Sequence, residues 1–483
     1  MRKYLICILL FSLLLGAIQG AIADDLDPFN IHQAVSTSPS KLMIELNDIQ
    51  IPCRPHEIRA PMDLLEVVEM ALCNHPQTHE AWANVKAQAA QVGISESAYL
   101  PSANVTAKID TGTNSLQETG YPQNSFGGLH TTTRDESFKM SWTLFDFGLR
   151  HANLESARYL LAAANATQDV TLQAVFQDAT KAFYNLLSAQ AVVDASSEAE
   201  RSAQQSFMAA SGKYQVGVGA LADKLQAETT FAQATSDRVK AEGNLKNARG
   251  TLAVAMGMPA NTAFTLDAGQ SALPDTSFVL SIDALIEEAK RLHPGLIAAR
   301  AQLQAAKMNV EAAKAAGLPS ISLAVNFDHS DQLGQLPDGQ YFPAADTYTR
   351  NKTVGVQVSI PLFEGLSRSY IVQSATAQVE AKLAVLMNEE NQISLAVWTS
   401  YQSLITDTEY LTSTENLLHS ATLSFNVAQG RYKSGVGTII ELLNAQSALA
   451  SARQQRIQAV SNWRIARLNL AASLGKLGIW AIK

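Results

Sequence analysis

The sequence predicts a mostly helical chain that also carries amphipathic β-strands, the whole design being written twice. Three observations lead there. Landmarks recur at an offset of 218 residues, two proline-free stretches run for about 66 residues each, and four shorter segments alternate apolar with polar residues. The offset links His75-Pro76 to His293-Pro294, Leu100-Pro101-Ser102 to Leu318-Pro319-Ser320, Tyr214/Gly217/Gly219 to Tyr432/Gly435/Gly437, and Gly257 to Gly475. A period this long exceeds that of the common solenoids and indicates a duplicated domain. We expect one repeat over 61–270 and a second of the same design over 271–483.

The chain opens with Arg2 and Lys3, an apolar run from about Leu5 to Ala17, and the small-residue site Ala21-Ile22-Ala23. This pattern predicts a signal peptide over 1–23, cleaved before Asp24. Its removal takes Cys7 and shifts the net charge from −8 to −10. An acidic mature chain without a basic stripe argues against nucleic acid as a partner. Cys53 and Cys73 remain, either as a disulfide in an oxidising compartment or as two small buried residues. Residues 24–60, rich in Pro and Ser, read as an extension with little regular structure.

In each repeat a helix opens at the His-Pro pair and runs, in the first copy, from Pro76 to Tyr99 before Leu100-Pro101 stops it. The period then changes to two. Residues Val105 to Asp110 alternate, as do Phe138, Met140, Trp142 and Leu144; the second copy has Ile321, Leu323, Val325 and Phe327, then Val354, Val356, Val358 and Ile360. Four strands of roughly ten residues would suit either a bilayer or a small soluble sheet. The stretches at 113–134 and 329–350, rich in Gly, Thr, Asp and Tyr, read as the connecting loops.

The proline-free stretches, Gly148 to Tyr214 and Gly365 to Tyr432, predict helices close to 100 Å long at about 1.5 Å per residue. No ordinary globular core needs such a helix. Val397, Leu404, Leu411, Leu418, Phe425 and Tyr432 fall seven apart, matched by Ala179, Leu186, Val193, Glu200, Phe207 and Tyr214, so the long helices should supercoil against neighbours. Glu200 interrupts the apolar series. After Gly217-Val218-Gly219 a shorter helix runs from about Leu221 to Met256.

Catalytic motifs fail one by one. His75 and His79 have metal-binding spacing, but the second copy offers His293 and Ile297, and no HExxH or Cys/His cluster exists. The Gly-Val-Gly elements neither follow strands nor precede Gly-Lys-Ser/Thr, and no G-x-S-x-G elbow is present. We expect no enzyme, catalytic residue, metal site or cofactor.

The repeated order also matches a known family. Asn74-His75-Pro76 and Leu292-His293-Pro294, the Leu-Pro-Ser stops, Leu144-Phe145-Asp146-Phe147-Gly148 and Pro361-Leu362-Phe363-Glu364-Gly365, and the turns Tyr214-Gln215-Val216-Gly217 and Tyr432-Lys433-Ser434-Gly435 resemble those of TolC-like outer-membrane channel proteins over about Pro61 to Gly475. The resemblance implies a homotrimer whose subunits each give four strands to one 12-stranded barrel in outer-membrane lipid, continued by a periplasmic helical tunnel. It implies an exit duct for tripartite efflux or type I secretion, working with a periplasmic adaptor and an inner-membrane RND or ABC transporter that selects the cargo. The rival expectations are a periplasmic adaptor and a soluble coiled-coil scaffold.

By the same resemblance the hairpin tips, Val216, Gly217, Val218, Gly219, Ser434, Gly435, Val436 and Gly437, form the gate region and the surface that docks the adaptor. Asp223 and Tyr432 occupy two places of a closing network, whereas Gly437 stands where an Arg is expected. Glu441 matches an acidic position inside the entrance and Asn444 the next one, so three copies of Glu441 would make a carboxylate ring favouring cations.

Overall fold

The computed structural model describes residues 27–35, 61–117, 125–267, 281–335 and 347–476. The predicted signal peptide and Cys53 lie outside them. Of the predicted extension, residues 27–35 carry a single 3-10 turn, Ile31–Ala34. Cys73 is disulfide-bonded.

The duplication appears element by element. Helices α1 (Leu64–Asn74), α2 (Pro76–Ser97), α3 (Leu149–Gln215) and α4 (Leu221–Ala255) recur as α5 (Ile282–Leu292), α6 (Pro294–Ala315), α7 (Ser367–Lys433) and α8 (Ile439–Ser473). Each recurs at the offset of 218 residues and at the same length. The two long helices, α3 and α7, have 67 residues apiece.

Helices α1 and α5 are not among the sequence expectations. The signal for α1 is a capping box: Asp63 Oδ1 accepts from Glu66 N at 2.8 Å while Asp63 N donates to Glu66 Oε2 at 3.2 Å. Ser281 caps α5, accepting from Ala284 N. Both helices end at a histidine because a proline follows. Steric pressure from the proline ring drives the preceding residue out of the helical region, and His75 and His293 have ψ of 129° and 123°. The chain therefore stops one helix and starts the next across a single His-Pro bond.

Strands β1 (Ser102–Gln117), β2 (Ser125–Phe145), β3 (Ser320–Gln335) and β4 (Thr347–Ser359) form one antiparallel sheet in the order β1-β2-β3-β4. Three of them are longer than the expected ten residues by six or more, and much of the expected loop at 113–134 and 329–350 is strand. Thr111, Gly112 and Thr113 pair with Thr132, Thr131 and His130. Their polar, Gly-containing composition hides the strand from a hydrophobic pattern, but threonine's β-branched side chain suits a pleated surface. Residues 118–124 and 336–346 lie outside the described residues.

Register assigns the two faces. Phe138, Met140 and Trp142 stand opposite Phe327, Val325 and Leu323, which in turn oppose Lys352, Val354 and Val356. The other face carries Ser137, Lys139 and Ser141 beside Asp328, Asn326 and Ala324. One side is apolar over most of its extent and the other polar.

The chain divides into two compact units. Among the described residues, one comprises those within 27–35, 86–159 and 304–379, including the sheet; the other comprises those within 61–85, 160–303 and 380–476. In the helical unit Met62, Val67, Leu72, Phe176, Leu252 and Met256 form one core, while Leu285, Leu296, Val397, Trp463 and Leu470 form a second. Fully burying side chains of this size contributes about 1.5–3 kcal/mol each. Of the heptad positions, Val397, Leu404, Leu411, Tyr432, Ala179 and Leu186 are buried, Val193, Phe207, Leu418 and Phe425 are half-buried, and Tyr214 is exposed. At the interrupting position, Glu200 pairs with Arg238 of α4 at 2.6 Å. A hydrogen bond from Thr235, followed by that arginine, holds the Glu200 carboxyl below its ordinary range.

Candidate functional site

The two hairpin tips are built by the same backbone device. At the end of α3, Val218 N donates to Lys213 O at 3.0 Å and Gly217 N to Tyr214 O at 3.0 Å; at the end of α7, Val436 N donates to Arg431 O and Gly435 N to Tyr432 O. This is a Schellman closure, which requires a left-handed residue just past the helix. Gly217 and Gly435 supply it, with φ of 80° and 81°. Gly219 and Gly437 are needed for space instead. A Cβ at Gly219 would stand 3.0 Å from Lys213 Cβ and Tyr214 N, and one at Gly437 2.9 Å from Arg431 Cβ.

The following helix starts differently in the two copies. Thr438 caps α8 by accepting from Glu441 N at 3.2 Å, whereas Ala220 gives α4 no side-chain cap. A missing Ser/Thr cap costs about 1 kcal/mol, so the first turn of α4 frays more readily than that of α8.

Beneath the tips Tyr432, Ile439, Leu442 and Leu443 pack with Ala210 and Ala227, joining both hairpins in one cluster. Tyr432 is only 8% exposed. Burial pushes its phenol pKa up, and the negative charge of Asp223 adds to the effect. Of the predicted site residues, Asp223 and Tyr432 thus lie within electrostatic reach of each other. Glu441 and Asn444 lie on the exposed side of α8.

Two cations at the tips escape a reading by family position. Lys213 Nζ lies 3.9 Å from the centre of the Tyr432 ring, a cation–π contact. Arg431 Nε meets Glu441 Oε1 at 3.0 Å. Gly437 indeed leaves no arginine at the expected place, but positive charge reaches the tip from the last turns of α3 and α7. Lys and Arg near a helix C-terminus are the usual partners of its dipole, which is the only sequence signal that could have singled them out. Val216, Val218 and Val436 project outward, each at least 70% exposed.

The chain matches the sequence model described as outer membrane efflux protein twice, over residues 67–258 and 285–476. It is 28% identical over 431 residues to Protein CyaE of Bordetella pertussis, covering 88% of this chain and 87% of that one. Outer membrane protein TolC of Escherichia coli is 22% identical over 427 residues, with 86% and 82% covered. Among solved structures, the outer-membrane channel OprN superposes with a TM-score of 0.72 at 22% identity, covering 86% of this chain and 90% of its own. The CmeC outer membrane channel of Campylobacter jejuni gives 0.71 at 17% identity, with 86% and 85% covered.

Proposed function

The chain belongs to the outer membrane efflux protein family and is an outer-membrane exit duct; we propose that it works as a homotrimer whose three sheets close one 12-stranded barrel. The observation that carries this reading is the sheet with two open edges and one apolar face. In lipid every backbone N–H and C=O needs a protein partner, so β1 and β4 cannot remain edges there. About eight strands is the smallest closed membrane barrel, so four must be completed by other copies. Among the described residues no helix is long and apolar enough to cross a membrane.

The long helices support the same assembly. Leu383, Met387, Leu395, Trp398 and Ile405 of α7 are large, apolar and exposed in the single chain. A run of this kind asks for a covering partner, and neighbouring copies supply one in a helical tunnel. The duct is passive; its partners are a periplasmic adaptor seated on the valine-bearing tips and an inner-membrane RND or ABC transporter.

Asp223, Tyr432, Glu441 and Asn444 form the gate at the periplasmic entrance. Three Glu441 carboxylates would draw cations, and each Arg431 moderates that field at 3.0 Å. Reconstitution into planar bilayers tests the reading: discrete conductance steps support a duct, and a chain that inserts without conducting removes it.

A further inference from the structure

The apolar face of the sheet ends in charge along a line that crosses several strands. Leu318, Leu100, Phe145, Phe147 and Phe363 are exposed at one end of the sheet unit. From Leu318 to the Phe138–Phe327 pair, whose rings lie 5.9 Å apart, is nine residues, about 30 Å along a strand and about 23 Å at a barrel strand's tilt. That is close to the height of a barrel's lipid-facing band. The rows beyond it change character at once. Glu136, His329 and Arg350 share one row, Arg134, Asp331 and Tyr348 the next, and Lys352 stands beside Phe327.

These charges are only partly matched within the sheet: Arg134 stands opposite Asp331, and Glu136 shares a row with Arg350. His329 Nε2 meets Asp331 Oδ1 at 3.1 Å, whereas Arg134, Arg350 and Lys352 make no ion pair among the described residues. Closing the barrel does not change this. Strand β1, the open edge that would pair with a neighbour's β4, presents Ala103, Val105, Ala107 and Ile109 on this face, fixed by their register with Met140, Phe138, Glu136 and Arg134. Its Asp110 points to the polar face. A neighbouring copy therefore brings alanines, valine and isoleucine, and no carboxylate, to Arg350 and Lys352. Beside them lies a hollow of about 340 Å³ bounded by Phe138, Phe327, Arg350 and Lys352, with Glu136 and Asp328 also in its lining.

We propose that Arg350 and Lys352, with Arg134, bind the phosphate of a phosphorylated lipid of the outer leaflet, whose acyl chain lies in the hollow over Phe138 and Phe327. The proposal rests on the duct reading, since it requires this face to meet lipid. The chemistry is that of an interfacial anion site: an arginine fork and a lysine ammonium at headgroup height, with aromatic surface immediately below. Glu136 and the His329–Asp331 pair sit in the same rows and disfavour a second anion, so one phosphate per subunit is expected.

Native mass spectrometry of the purified full-length oligomer tests this, using a diphosphorylated acyl-glucosamine lipid against its dephosphorylated form. At about 1 kcal/mol per cation, Arg350→Gln/Lys352→Gln loses roughly thirtyfold of the preference for the phosphorylated lipid. Single Lys352→Gln, losing roughly fivefold, serves if the double variant does not assemble. Excess inorganic phosphate leaves lipid retention by the unaltered protein unchanged. Equal retention of both lipids, no effect of the substitutions, or displacement by inorganic phosphate overturns the proposal. Conductance in phosphatidylcholine bilayers separates the two readings: a protein that conducts without phosphate preference sinks this site alone, and one that neither assembles nor conducts sinks the duct as well.

Discussion

Gly257 lies against the carbonyl of Asn74 so closely that a Cβ would stand 2.6 Å from both its carbon and its oxygen. Gly475 repeats the arrangement against His293, at 2.8 Å from its Cα. Both glycines are also left-handed, with φ of 75° and 69°. Each marks the place where a tip-side helix, α4 or α8, ends against the His-Pro junction that starts α2 or α6. Backbone touching backbone leaves no flexible side chain to give way.

Gly257→Ala should therefore lose both conformation and space, costing roughly 2–5 kcal/mol. Gly217→Ala, with nothing within 4 Å of its Cβ, should cost only the conformational part, roughly 1–2 kcal/mol. Denaturant midpoints of the two variants give the comparison; equal losses would contradict the close approach at Asn74.

Arg150 holds the junction of β2 and α3. Its Nε meets Asp146 Oδ2 at 2.7 Å, its Nη1 donates to Thr143 O at 2.7 Å, and both side chains of the ion pair are about 13% exposed or less. Arg368 and Glu364 repeat the pair at the start of α7 but are about a third exposed. Arg150→Ala should cost about 2 kcal/mol and Arg368→Ala about 1 kcal/mol, because the first removes the charged partner of a mostly covered carboxylate, which then keeps only the backbone N–H groups of Gly148 and Arg150. Heating the oligomer and following its dissociation on gels ranks the two.

Burial lowers the pKa of His293 below its ordinary value of 6.5, and its Nδ1 accepts from Gly295 N at 3.1 Å. The unfolded chain then takes up this proton before the folded one does. Stability contributed here is complete above pH 6.5 and is lost as pH falls through the lower folded value. Thermal midpoints measured from pH 7 to pH 5 should fall, and His293→Gln should flatten that slope. A slope unchanged by the substitution would remove His293 from the acid response.

Charge at the entrance yields a paired prediction. Glu441→Ala should weaken cation selectivity in planar bilayers and Arg431→Gln should strengthen it, since the arginine partly offsets the carboxylate. Neither should change stability by more than about 1 kcal/mol, the pair being roughly half exposed. Selectivity unmoved by both substitutions would take Glu441 out of the pore.

Much of the fold was legible because its signals are long-range and redundant. A seven-residue pattern over α7, duplicated punctuation at His-Pro, and glycines at matching positions each indicate the same element twice. The short helices α1 and α5 escape a reading built on the long proline-free stretches, although Asp63 and Glu66 form a recognisable capping box and the apolar residues of α5 recur at helical spacing. Strand lengths were underestimated where both faces become polar, from Asp110 and Thr111 onward. At the tips, family position supplied Asp223, Tyr432, Glu441 and Asn444 but could not supply Lys213 and Arg431, whose partners depend on how two helices meet across a turn.

Mass in detergent, measured for the purified protein by light scattering with the micelle subtracted, tests the central claim most directly. Three copies per particle, lost together with conductance on denaturation, is the result expected of open-edged sheets that complete one another. A single copy, dispersed without detergent, would contradict it.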